Sequence, residues 1–170
     1  DDDAIVRQNV LKYHAYLRVP LPPVSLAKLL RDQDRGVLLT ALDRISMNAS
    51  QPQIIDEIER LSRHEDRGVR LKIVDVARDC NRYHTKYRSI LRSMTEDPDA
   101  EVTSMAAVEL ARFGEKIKPS VIERIKRYLL SAKGMSSQVT TILYAVSAMG
   151  SDGIGAVSYT HLTLPTSTHG

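Results

Sequence analysis

The sequence predicts an all-α protein built from stacked helical hairpins, and three observations support this fold class. Four short segments repeat one another, each with an aspartate three residues before a valine: DDDAIV at 1–6, DQDRGV at 32–37, HEDRGV at 64–69 and DPDAEV at 97–102. The valines recur roughly every 31 to 37 residues, within the period of roughly 20 to 50 residues that is typical of stacked-repeat proteins. Apolar residues follow a helical period, and no stretch alternates long enough to indicate a strand.

Each repeated segment predicts the start of a helix. An aspartate or serine at the N-cap accepts a hydrogen bond from a backbone N–H two or three residues on, and a negative charge there favours the positive end of the helix dipole. The residues in this position are Asp3, Asp34, Asp66, Asp99 and, in a weaker fifth copy, Ser136. Apolar residues at the 3.6-residue period follow each of them, which predicts one buried helix face per copy.

Further helices are predicted between the aspartate-capped ones, and each is the first helix of a predicted hairpin. Ser50 and Ser120 each have a Gln or Glu three residues later, the spacing of a capping box, and an apolar stripe follows both. Two further stripes follow a proline pair and a polar linker; they are Leu26, Leu29 and Leu30, and Ile90, Leu91 and Met94. The predicted unit is therefore two antiparallel helices joined by a short turn.

The fourth copy resembles a known repeat family. Its segment ILRSMTEDPDAEVTSMAAVELARFGE at 90–115 resembles a HEAT repeat, in which a first helix ends in an acidic turn and a second helix begins with valine. The resemblance implies an α–α superhelix, an armadillo-like HEAT solenoid, whose second helices line a concave groove. A lone hairpin cannot bury its apolar side, whereas stacked hairpins share one core, and about four repeats are expected here.

The resemblance also implies a polar ladder along the stack. HEAT repeats often carry an arginine directly after the valine, and this arginine bonds to turn aspartates. Arg7 and Arg70 occupy that position, whereas Leu38, Thr103 and Thr140 do not. We therefore expect the ladder to be interrupted.

Both ends of the chain differ from a complete repeat. We expect a partial HEAT-like domain over 1–156, truncated at both ends, because the chain opens on aspartates that should follow a first helix and natural solenoids end in polar capping repeats. The stretch VSYTHLTLPT at 157–166 resembles a translated sequencing-library adapter. Residues 157–170 are therefore expected to be a non-native, disordered tail and are excluded from fold reasoning.

The composition favours a protein that lies outside the membrane and in a reducing compartment. The 24 basic and 21 acidic residues give a formal charge of +3, which alone does not indicate nucleic-acid binding. No stretch approaches the roughly 18 to 20 apolar residues of a membrane span. The single cysteine, Cys80, lies on an apolar stripe with Ile73 and Val76, which indicates a reduced, buried thiol. We expect a cytoplasmic monomer.

The best candidate surface is a basic strip between Arg60 and Arg92. Its cationic residues are Arg60, Arg63, Arg67, Arg70, Lys72, Arg78, Arg82, Lys86, Arg88 and Arg92. The candidate partner-binding residues within it are Arg70, Lys72, Arg78, Arg82, Tyr83, Lys86 and Tyr87. Three interpretations stay open: solvated helix faces, a surface that steers an acidic protein partner, and a phosphate-binding surface with stacking aromatic rings. Protein binding is favoured over nucleic-acid binding because the charge surplus is confined to one repeat.

The sequence predicts no catalytic residue, no metal and no cofactor. Cys80 and His84 are four residues apart, a spacing that suits two ligands on one helix face, but zinc needs three or four ligands. The carboxylates of Asp56, Glu57 and Glu59 flank an apolar stripe, which indicates the wet face of a helix rather than an acid–base pair.

The predicted function is a non-catalytic scaffold or adaptor that binds a protein or peptide along the groove of second helices. Two alternatives stay open: a nucleic-acid-binding HEAT-like solenoid, and a regulatory or docking segment of a larger enzyme. Binding dominated by phosphates weakens by orders of magnitude between low and physiological salt, which distinguishes the first alternative.

Overall fold

The computed structural model describes residues 3–134 and 139–143, and within them the chain is all-helical. The helices are α1 (Ala4–Tyr16), α2 (Pro23–Leu29), α3 (Arg35–Leu42), α4 (Pro52–Leu61), α5 (Arg67–Cys80), α6 (Lys86–Met94), α7 (Ala100–Arg112) and α8 (Pro119–Ser131), with a 3₁₀ turn at Ser46–Asn48. Residues 139–143 are also helical, and no strand occurs in these two ranges. The all-α prediction is therefore confirmed, while the predicted tail at 157–170 lies outside the described residues.

The four repeated aspartates cap α1, α3, α5 and α7, as the sequence predicts. Each carboxylate of Asp3, Asp34, Asp66 and Asp99 accepts a hydrogen bond from a backbone N–H two or three residues ahead, at 2.8 to 3.1 Å. These bonds satisfy donors that have no partner within the helix. The fifth predicted cap, Ser136, lies outside the described residues.

The predicted capping boxes at Ser50 and Ser120 are not used as helix caps. Helices α4 and α8 begin at Pro52 and Pro119, their N-cap residues make no side-chain capping bond, and α2 begins in the same way at Pro23. Proline suits this position because its fixed φ angle is helical and its missing N–H would have no helical acceptor there. Helices α1, α3, α5 and α7 therefore start at aspartate caps and α2, α4 and α8 start at prolines, whereas α6 starts at Lys86 with neither.

The helices pack in two rows. Helices α1, α3, α5 and α7 contact one another in order, and α2, α4 and α6 do the same on the other side. Hairpin contacts join the rows, α2 with α3, α4 with α5, and α6 with α7, while α8 packs on α7. The contact between α3 and α5 is less extensive than those between α1 and α3 and between α5 and α7.

One apolar core runs between the two rows. The valines that follow the caps of α3, α5 and α7, namely Val37, Val69 and Val102, are fully buried. The ring of Tyr87 on α6 is also fully buried, and its hydroxyl donates to the backbone oxygen of Ala49 at 2.7 Å. Since a buried hydroxyl without a partner is costly, this bond fixes α6 against the α3–α4 connection.

No helix among the described residues is both long enough and apolar enough to cross a membrane.

Candidate binding surface

Two bidentate ion pairs link a helix of the α1, α3, α5 and α7 row to the turn that precedes the next helix of that row. Arg7 of α1 donates to both carboxylate oxygens of Asp32, at 2.7 and 3.0 Å, and Arg70 of α5 donates to both of Asp97, at 2.8 and 3.2 Å. We call this arrangement a clasp. The side chains of Asp32 and Asp97 are only 10% and 4% exposed, so each clasp lies largely out of water, where a charged hydrogen bond is strong.

The aspartate of each clasp, which is the first aspartate of its turn, also shapes that turn. The Asp32 carboxylate accepts the backbone N–H of Asp34 at 2.9 Å, and the Asp97 carboxylate accepts that of Asp99 at 2.8 Å. Because Asp34 and Asp99 are the N-caps of α3 and α7, one carboxylate holds both the helix start and the joint to the preceding helix.

A second type of ion pair continues the ladder. Arg35, at the start of α3, donates to the N-cap Asp66 at 2.7 Å, and Arg67, at the start of α5, donates to the N-cap Asp99 at 2.8 Å. A side chain at Gly68 would collide with the Arg35 guanidinium, so glycine leaves that arginine its path. The ladder formed by the arginine after each valine is interrupted at the contact between α3 and α5, where Leu38 stands, and the Arg35–Asp66 pair bridges that contact in its place.

The contact between α3 and α5, the middle joint of the row, has no clasp, and both residues that would form one are replaced. Leu38 replaces the arginine, and His64 replaces the first aspartate of the facing turn. His64 Nδ1 accepts the backbone N–H of Asp66 at 3.0 Å, so it keeps the turn-shaping bond while it forms no ion pair with α3. Leu38 and His64 line a cavity of about 230 Å³, and His64 also borders a neighbouring cavity of about 410 Å³ against the next turn.

Two of the seven predicted partner-binding residues are structural. The Arg70 side chain is 12% exposed and, besides its clasp, donates to the backbone oxygens of His64 and Glu65 at 2.8 and 3.0 Å. Tyr87 has no exposed surface. The structure corrects these two predictions, because neither side chain is free to contact a partner.

Most other cations of the basic strip are neutralised by nearby carboxylates. Along the row of α3, α5 and α7, the ion pairs are Lys72 with Asp43, Arg78 with Asp75 and Asp79, and Arg112, beyond the strip, with Glu109. On the other side, they are Arg60 with Glu57, Lys86 with Glu59, and Arg88 and Arg92 with Glu115. The strip is therefore a mixed-charge surface rather than a continuous positive one.

Arg82 and Tyr83 stay exposed in the connection between α5 and α6. The Arg82 guanidinium carbon lies 5.6 Å from the centre of the Tyr83 ring, and 47% of Tyr83 is exposed. Within the described part of the chain, Arg82 and Arg63 are the cations of the strip that make no ion pair. Of the predicted residues, Arg82 and Tyr83 thus present the most accessible recognition groups.

Sequence reasoning missed the role of Glu57. This side chain on α4 is 6% exposed, and it accepts from Arg31 at 2.6 Å and from Arg60 at 2.8 Å. Burial opposes ionisation, but the hydrogen bonds from both arginines outweigh it, so the pKa of Glu57 is lowered. Arg60 also donates to the Leu30 backbone oxygen at the end of α2. Glu57 therefore joins α2 to α4 and does not lie on a wet helix face.

A second buried carboxylate, Glu109, lies on α7. Burial raises its pKa, and the charges of Arg112 and Arg78 partly offset this rise. Arg112 donates to it at 2.9 Å. The carboxylate and its two cations place alternating charges at the junction of α5 and α7.

Cys80 has the properties of a core residue. It is 3% exposed, and burial raises the pKa of its thiol to about 11, so the thiol is protonated at neutral pH and unreactive. His84 Nδ1 accepts the backbone N–H of Lys86 at 3.0 Å and shapes its own turn. Among the described residues, no three or more His, Cys, Asp or Glu side chains are placed to hold a metal ion.

The chain matches no protein-family model, no curated protein and no solved structure. A functional proposal therefore depends on the geometry of the helices and their surface.

Restoring the missing clasp is a direct test of the joint chemistry. Leu38→Arg alone buries a cation without an anion, and His64→Asp alone adds a carboxylate next to Asp66, so each should destabilise the chain. Together they recreate the clasp, and we expect a favourable coupling of about 1 to 3 kcal/mol in a double-mutant cycle measured by urea unfolding. The control cycle uses His64→Asn, which offers no charge and should couple weakly. Effects that simply add would show that the two positions do not meet.

The clasp also predicts a pH dependence. The hydrogen bonds from Arg7 are the main cause that lowers the pKa of Asp32 below its ordinary 3.8. A lowered folded-state pKa stabilises the fold above the unfolded pKa, and this contribution is lost as pH falls through the folded value. We expect Asp32→Asn to melt below the parent chain at pH 7, with a gap that shrinks below about pH 4. Thermal melts across this range measure the gap, and a constant gap would contradict the assignment.

Proposed function

We propose that this chain is part of a HEAT-like α-solenoid that binds a protein or peptide without catalysis, in the cytoplasm. The observation that carries the proposal is the ordered row, in which α1 contacts α3, α3 contacts α5 and α5 contacts α7. Such a row would offer a partner an extended surface across several helices. An extended surface of this kind suits a long partner better than a small molecule, and stacked repeats use such surfaces for binding.

The HEAT-like assignment is supported by the chemistry of the turns. The acidic turn and an arginine directly after the valine of the preceding helix recur in the contacts of α1 with α3 and of α5 with α7. In both joints this arginine bonds to an aspartate of the following turn, Asp32 or Asp97, as the resemblance implies. These two contacts therefore share their chemistry as well as their spacing in the sequence.

The proposed binding surface consists of the exposed side chains on α3, α5 and α7 and on the connection after α5. It includes Lys72, Arg78, Arg82 and Tyr83 of the original prediction, together with the acidic residues that alternate with them. Lys86 instead lies on α6, in the opposite row, where it pairs with Glu59 of α4 at 3.2 Å. Since both signs of charge are present, the partner is expected to carry both signs rather than to be purely acidic.

The nucleic-acid alternative has less support. A phosphate-binding solenoid requires several cations free to replace counterions, whereas most cations of the strip already pair with carboxylates. The alternative of a docking segment in a larger enzyme stays a prediction from the sequence.

Selection from a displayed random-peptide library tests the proposal. We expect enriched peptides with both acidic and basic residues, and we expect the double variant Lys72→Glu with Arg78→Glu to weaken their binding about tenfold, or about 1.4 kcal/mol. The matched control is Lys116→Glu with Lys133→Glu, two exposed lysines that are not among the residues of the proposed surface and that should bind as the parent chain does. Failure to enrich peptides, or equal binding by both double variants, would contradict the proposal. Salt-sensitive binding of labelled single-stranded DNA would favour the alternative.

A further inference from the structure

The cavity of about 230 Å³ lies at the middle joint, where the clasp is missing. Leu38 and His64, which replace the two clasp residues, both line it. Three arginines from three helix ends also line it: Arg31 just after α2, Arg35 at the start of α3 and Arg60 near the end of α4. Cationic side chains from successive turns thus border one open space.

The arginines of this cavity are more exposed than the carboxylates that pair with them. The side chains of Arg31, Arg35 and Arg60 are 67%, 58% and 45% exposed. Their carboxylates belong to Glu57, which is 6% exposed, and to Asp66, which is 31% exposed. Two carboxylates thus serve three guanidinium groups, and the cations are the partners that solvent reaches.

The same arginines keep hydrogen-bond donors that no protein group uses. A guanidinium has five N–H donors, and its pair with a carboxylate takes only some of them. The Nη1 groups of Arg31 and Arg60 make no hydrogen bond within the described residues, and neither Nη group of Arg35 does. His64 Nδ1 accepts a backbone N–H, so the neutral ring carries its proton on Nε2, which has no acceptor in those residues.

The acidic side chains that line the cavity are mostly occupied. Asp32 accepts from Arg7 and from one backbone N–H. Asp66 accepts from Arg35 and from another backbone N–H. The exception is Glu65, which is exposed and makes no ion pair with any described residue. Charged donors therefore outnumber free carboxylates, so the space suits a ligand that brings acceptors and negative charge.

The number of these donors favours a phosphoryl group. It offers three oxygens and a charge of about −1.5 to −2, whereas a carboxylate offers two oxygens and one charge. A single phosphoryl group requires one such site, whereas a nucleic acid requires free cations along several repeats. The cavity adjoins the one of about 410 Å³, and His64 and Glu65 border both. The second cavity gives room for residues next to a phosphorylated side chain.

We propose that the middle joint binds the phosphoryl group of a phosphorylated peptide through Arg31, Arg35, Arg60 and His64. The inference rests on the proposed function in taking a peptide as the ligand, and it adds a phosphate site formed by residues other than Lys72 and Arg78. The two replacements that remove the clasp leave the space in which this group binds.

Fluorescence anisotropy with two labelled degenerate peptide mixtures tests the proposal. The fixed central residue is phosphoserine in one mixture and serine in the other. We expect the phosphoserine mixture to bind at least about tenfold more tightly, and Arg31→Gln to remove most of this difference. Glu57 keeps its pair with Arg60 in this variant, so circular dichroism should match the parent chain. The control Arg127→Gln, at an exposed arginine that lines neither cavity, should bind as the parent chain does.

Glu65→Gln supplies a test that loss of folding cannot imitate. This carboxylate repels a phosphoryl group at the border of the cavity, so its removal should tighten binding of the phosphoserine mixture about threefold. Binding of the serine mixture should not change. Weaker or equal binding of the phosphoserine mixture would contradict the proposed position of the phosphoryl group.

The two mixtures separate this proposal from the proposed function. Equal affinities, or a ratio of affinities that Arg31→Gln leaves unchanged, would overturn the phosphate site and leave the proposed binding surface standing. A serine mixture that does not bind, or that binds equally to Lys72→Glu with Arg78→Glu, would contradict the proposed surface and leave the phosphate site standing. Inorganic phosphate that binds as tightly as the phosphoserine mixture would overturn the peptide as ligand, as would displacement of that mixture by a lower concentration of single-stranded DNA.

Discussion

The largely buried pair between an arginine and the first aspartate of the next turn is the interaction on which this row of helices depends. In the clasps Arg7–Asp32 and Arg70–Asp97, one carboxylate meets two guanidinium donors and the backbone N–H of the next cap. A charged hydrogen bond contributes about 1.5 to 3 kcal/mol, and losing one partner would leave a buried charge unpaired. The clasp therefore couples the start of one helix to the position of the helix before it.

The row of capped helices could be read from the sequence because its signals are local. An N-cap aspartate and a valine three residues later lie within one turn of helix, so Asp34 and Val37 specify their own structure. The helix starts at Pro52 and Pro119 were predicted at the wrong residues, since a serine with the capping-box spacing competes with a nearby proline. Proline already supplies the helical φ angle at its first position, so no side-chain cap is needed.

The surface was harder to predict because charge pairs join distant parts of the chain. The sequence predicted a basic strip at 60–92 because carboxylates that neutralise it lie outside that segment. Among them are Asp43, Asp97 and Glu115. Tyr87 read as a recognition group, but its hydroxyl has a buried acceptor that only the fold provides. One signal was available: the replacement of arginine by Leu38 and of aspartate by His64 occurs at the two ends of one joint.

If the clasp sets the coupling between repeats, the joint between α3 and α5 should open most easily. Native-state hydrogen exchange under mild denaturant measures this directly, because amides that open together share one free energy. We expect α1 and α3 to exchange as one unit and α5 and α7 as another, with the two units separating at lower free energy than either opens internally. A single opening energy across all four helices would contradict the account.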